Sequence, residues 1–122
     1  EKALYDTVVI FGDSNSDNGN VFQMTGGLFP PVPYFQGRFS NGQVWSERLN
    51  VSATINRAYG GATTDDNVIQ SLALPSSFLV PGLRQQIMNY SSSVNKSVVD
   101  YDRTLYVVWA GGNNFLRNNS LT

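Results

Sequence analysis

A chain of 122 residues, 41% of them hydrophobic, suits one domain with its own core and is short for two. Its 8 Lys plus Arg and 9 Asp plus Glu are scattered without a basic run, which argues against a nucleic-acid interface or a polybasic membrane patch, and no apolar run is long enough to span a bilayer. With no cysteine and no histidine, these residues offer neither a disulfide framework nor a thiolate or imidazole metal site, and no cofactor is expected.

In chain order, Tyr5 to Phe11 reads as a buried strand that stops abruptly at Gly12-Asp13-Ser14-Asn15. Gly-Asp-Ser-Asn taken alone is ordinary turn chemistry. In an open parallel sheet, however, ligands gather beyond the carboxyl ends of the strands, where this turn would present Ser14. Ser16-Asp17-Asn18-Gly19-Asn20 then offers capping side chains and backbone N–H groups near a helix start, which favours developing negative charge. From Gly26 to Phe35, Pro30, Pro31 and Pro33 forbid regular structure, so a long surface loop is expected, its aromatic residues either walling a cleft or anchoring the loop itself.

Gln43 to Leu49 reads as a short helix, with Val44, Trp45, Arg48 and Leu49 at helical spacing. Ala53 to Tyr59 is a second strand, closed by Gly60-Gly61, where the backbone can turn sharply and approach a ligand. Residues 65–82 are loop-like. The adjacent Asp65 and Asp66 argue poorly for a carboxylate-pair glycosidase, because neighbouring acids in a turn point apart instead of flanking one bond. From Leu83 the pattern is helical, with Leu83, Ile87, Tyr90, Val94 and Val98 on one side, and Ser91-Ser92-Ser93 a candidate break. Leu105 to Ala110 is a third strand, closed by Gly111-Gly112-Asn113-Asn114 and followed by a helix-like Phe115 to Arg117.

Strand, helix, strand, helix, strand implies a parallel doubly wound sheet with its polar loops gathered on one edge. Ser14, Gly61 and Asn113 would then meet. Acyl transfer needs an attacking oxygen and donors aimed at the oxyanion of the tetrahedral intermediate, and the Ser14 and Gly61 N–H groups with the Asn113 carboxamide form such a set. A serine nucleophile also needs a base, most often histidine, and this sequence has none.

The segments Phe11–Asn20, Gly37–Trp45, Asn56–Thr64 and Gly111–Asn114 resemble the SGNH hydrolases, or GDSL lipases and esterases, and look most like a secreted eukaryotic, fungal or plant branch that includes carbohydrate acetylesterases. The resemblance implies a flavodoxin-like α/β/α sandwich, Ser14 as nucleophile, Gly61 and Asn113 as oxyanion donors, and a small-molecule ester substrate, an acetylated sugar or a lipid. Three departures stand out, the first being Asn15 where the family commonly has leucine after Gly-Asp-Ser. The family's Gly-x-Asn-Asp appears here with Asn114 in place of the aspartate, and its Asp-x-x-His is absent. The chain is therefore expected to be the N-terminal half of one such domain, completed noncovalently by a C-terminal polypeptide, by self-association, or by a remainder outside this sequence. A non-catalytic module that binds sugar or lipid esters is the alternative. Sequons at Asn50, Asn89, Asn95 and Asn118, and a first residue that is Glu and not Met, lead to the expectation of a secreted glycoprotein.

Overall fold

The structure is a computed structural model and describes residues 4–117. Three parallel strands form one sheet in the order β2-β1-β3, with β1 Thr7–Gly12, β2 Ala53–Asn56 and β3 Thr104–Trp109. The helices are α1 Asn20–Met24, α2 Leu83–Ser93 and α3 Gly112–Arg117. This is the α/β arrangement expected for a flavodoxin-like fold, and the parallel pairing follows from the long crossovers between strands.

β1 lies in the middle because its sequence tolerates burial on both faces: Val8, Val9, Ile10 and Phe11 are all essentially inaccessible. Val9 pairs with Ile55 on one side and Tyr106 on the other. Val9 and Phe11 point to α2, where Tyr90 closes the core with Ile55, Leu83 and Val94 packed around it. The Phe11 and Tyr90 rings meet edge to face, 5.5 Å between centroids. A second cluster joins Val21, Ala73 and Val80 with Phe29, Phe39 and Tyr59, so the loop residues after β1 and β2 share a core of their own.

Three elements depart from the sequence expectation. The face of α2 is rotated: Gln86, not Ile87, is buried, and Val98 lies beyond the helix end in a separate 3₁₀ turn and is exposed. The helix stops at the serine run, as its low propensity suggests. Gln43 to Leu49 forms only a 3₁₀ turn over Trp45–Arg48, since one isolated turn cannot offset the cost of nucleating an α-helix. β2 ends at Asn56, although the N–H groups of Arg57 and Tyr59 still donate to the Ile10 and Gly12 carbonyls. β3 is an edge strand with Leu105, Tyr106, Val108 and Trp109 partly exposed. No helix among the described residues is long and apolar enough to cross a membrane.

Candidate active site

The loops after the three strands are hydrogen-bonded to one another at the carboxyl edge of the sheet. After β1, Asp13 Oδ1 accepts from the backbone N–H and the side-chain amide of Asn15, while the N–H groups of Ser16 and Asp17 donate to the Asp13 carbonyl. This compact turn sets Ser14, half-buried, between them. The hydroxyl and the N–H of Ser14 have no hydrogen-bond partner among the described residues.

Asp17 ties this turn to the second loop. Its fully buried carboxylate accepts from the N–H groups of Gly19, Asn20 and Val21 at the start of α1, and from the Gly60 N–H at 2.9 Å. Burial pushes its pKa up from the ordinary carboxylate value, and the four backbone donors oppose that push. Asn20 and Asn56 reinforce the junction. The Asn20 amide donates to the Asn56 and Ala58 carbonyls, and the Asn56 amide donates to the Ser16 carbonyl.

Gly61 follows with φ +87, and a Cβ there would lie 1.9 Å from the Leu72 carbonyl oxygen. Glycine is needed both for the left-handed backbone and for the close approach of residues 72–73. The Gly61 N–H makes no hydrogen bond among the described residues. Asn113, in the first turn of α3, donates one amide hydrogen to the Ala62 carbonyl at 2.9 Å, which sets the third loop against the second. The other hydrogen of that amide has no partner among the described residues. Asn114 clamps Thr64 twice, accepting from its N–H and donating to its hydroxyl; the amide that replaces the family's carboxylate thus uses its oxygen and one of its two hydrogens on that residue.

Gln86 was not singled out in the sequence. Its carbonyl accepts the Gly12 N–H and its amide donates to the Gly12 and Pro81 carbonyls, fixing the end of the strand that leads to Ser14. A polar residue three after Leu83 and four before Tyr90, on an apolar face, was the available signal. Asp65 and Asp66 are absorbed by loop structure. Asp65 bonds Asn67, Gln85 and Arg84, which hold its pKa down at about 2, and Asp66 caps the N–H groups of Ser71 and Gly82. Asn50, Asn89 and Asn95 are exposed, and Asn118 lies outside the described residues. No cluster among the described residues could hold a metal ion.

Ser14 thus stands directly after the central strand of a parallel sheet, and neither its N–H nor that of Gly61 has a hydrogen-bond partner among the described residues. The chain belongs to the GDSL-like lipase/acylhydrolase family, whose model matches residues 8–122. It is 33% identical over 118 residues, 92% of this chain and 26% of the other, to a thermolabile hemolysin of Vibrio parahaemolyticus. It is 43% identical over 67 residues, 51% of this chain and 20% of the other, to a phosphatidylcholine-sterol acyltransferase of Aeromonas hydrophila. A secreted effector protein of Salmonella typhimurium is 41% identical over 64 residues, covering 47% of this chain and 16% of that protein. The chain thus spans about a quarter or less of the length of these relatives. The eukaryotic branch suggested by the motifs finds no support, since these relatives are bacterial.

Proposed function

We propose that this chain carries the nucleophile and the oxyanion-binding groups of a serine ester hydrolase or acyltransferase. Ser14 Oγ attacks the ester carbonyl and gives its proton to a base; the N–H groups of Ser14 and Gly61 and the Asn113 carboxamide receive the negative charge on the carbonyl oxygen. Collapse of the tetrahedral intermediate returns a proton to the departing alcohol and leaves the acyl group on Ser14. Water, or a second alcohol, then takes it up. The base is a histidine from a C-terminal segment outside this sequence, joined noncovalently or in the same chain; Leu105, Tyr106, Val108 and Trp109, exposed along β3, offer that segment an apolar strand to pack on.

The observation that supports this reading best is the pair of N–H groups at Ser14 and Gly61 that are unsatisfied among the described residues, on two loops that Asp17 bonds together. Half-buried backbone donors that no protein group occupies are open to an anion. One relative's name, phosphatidylcholine-sterol acyltransferase, favours a lipid ester over an acetylated sugar. The proposal includes a secreted protein with sugar at the exposed sequons.

Fluorophosphonate labelling of the full-length protein tests it. One label per chain, lost in Ser14→Ala together with turnover of a p-nitrophenyl ester, is expected; turnover that survives Ser14→Ala overturns it. The lack of histidine in this sequence favours a second reading, an ester-binding module without turnover, which predicts no labelling.

A further inference from the structure

We infer that the two loops leaving the carboxyl ends of β1 and β2 form a face that docks on a lipid surface beside Ser14. The inference rests on the reading of Ser14 as the nucleophile of a lipid esterase. From Asn18 to Gly37, and again from Asn67 to Leu83, the chain has no Asp, Glu, Lys or Arg, although it carries 8 basic and 9 acidic residues elsewhere. Both segments nevertheless expose large apolar side chains: Leu28 is 70% and Val32 88% exposed in the first, Leu74 52% and Leu79 64% in the second.

These segments are joined and rigidly seated. Val21 and Phe29 of the first pack with Ala73 and Val80 of the second in one buried cluster. They also grip the Gly60-Gly61 pair from two sides. A Cβ at Gly60 would lie 2.2 Å from the Phe39 ring, just beyond the first segment, and a Cβ at Gly61 would strike the backbone of Leu72 in the second. The exposed apolar groups are therefore fixed relative to the proposed oxyanion donor. Val32 and Tyr34 further line a groove of about 290 Å³ with Phe22, Pro30 and Pro31.

A lipid surface is the partner that this chemistry fits. Protein interfaces commonly ring an apolar centre with polar and charged residues, whereas a bilayer accepts apolar side chains without shape or charge complementarity. Neither segment itself carries Lys or Arg, so the docking inferred is apolar and not electrostatic, and zwitterionic lipid should serve as well as anionic lipid.

The test is co-sedimentation of the full-length protein with phosphatidylcholine vesicles. Val32→Glu with Leu74→Glu should cut vesicle-bound protein about tenfold and hydrolysis of vesicle lipid in proportion, with dissolved p-nitrophenyl acetate turned over within about twofold of wild type. Val32→Trp should increase binding, a gain that misfolding would not produce. Binding that the double variant leaves intact, or that requires anionic lipid or falls steeply with salt, overturns the inference. So does loss of soluble-ester turnover together with thermal stability in the double variant, the signature of a face covered by the rest of the protein. Failure of the Ser14 reading would look different: vesicle binding would persist while Ser14→Ala still turned over soluble ester.

Discussion

The carboxylate of Asp17 accepts the N–H of Gly60 at 2.9 Å, and that bond ties the Ser14 turn to the Gly61 turn. The same side chain accepts three N–H groups at the start of α1. Two loops separated by more than forty residues are thus organised by one buried anion.

Asp17→Asn should cost about 2–4 kcal/mol, because one acceptor oxygen becomes a donor that faces a backbone N–H in a buried site. Urea unfolding of the full-length protein measures this, and a midpoint equal to that of wild type would contradict the role assigned to the carboxylate.

Gly61→Ala should be among the most damaging single substitutions, about 3 kcal/mol or more, since the added methyl collides with the Leu72 backbone at a positive φ. Gly111 provides the contrast. Its φ is also positive, at +125, but a Cβ there meets nothing within 4 Å, so Gly111→Ala should cost only about 1–2 kcal/mol of backbone strain. Thermal midpoints of the two variants should separate accordingly.

Gln86→Leu keeps the bulk but leaves the buried Gly12 N–H without its acceptor. A loss of about 1–3 kcal/mol is expected from that orphaned donor. Amide exchange at Gly12 should accelerate in the variant, a local effect that general loosening of α2 would not confine to one residue.

Acid stability should carry the signature of Asp65, whose folded pKa of about 2 lies below its ordinary 3.8. A depressed carboxyl contributes stability above the unfolded value, lost as pH falls from about 3.8 through about 2. Asp65→Asn should flatten acid unfolding across that window. Asp17 acts in the opposite sense: its raised pKa makes its contribution weaken as pH climbs above 3.8.

Asn114→Asp restores the residue type that the family pattern carries. A carboxylate would still accept the Thr64 N–H and would accept the Thr64 hydroxyl proton in place of the present amide donation. Stability should stay within about 0.5 kcal/mol of wild type, as measured by urea unfolding.

Much of this arrangement was legible because it is local. Four consecutive apolar residues before Gly12 specify a strand buried on both faces, and glycine pairs at 60–61 and 111–112 mark where the chain must turn. What escaped was set by distant partners. Gln86 is a polar residue on an apolar face, explained chiefly by the Gly12 backbone 74 residues away. Asp17 read as a capping residue for α1, which it is, but its bond to Gly60 depends on how two loops pack. The β3 pattern is as apolar as that of β1, yet sequence alone does not say which strand sits in the middle.

The central place of β1 has a kinetic meaning. Its ladder is engaged on both sides, to β2 over Thr7–Ile10 and to β3 over Thr7–Gly12. Detaching β3 frees one margin of the sheet; baring Val9 to solvent requires both neighbours to leave. Deuterium uptake should therefore spread inward from β3 and reach the segment before Ser14 last, so the proposed nucleophile is mounted at the end of the most slowly opening stretch of the chain.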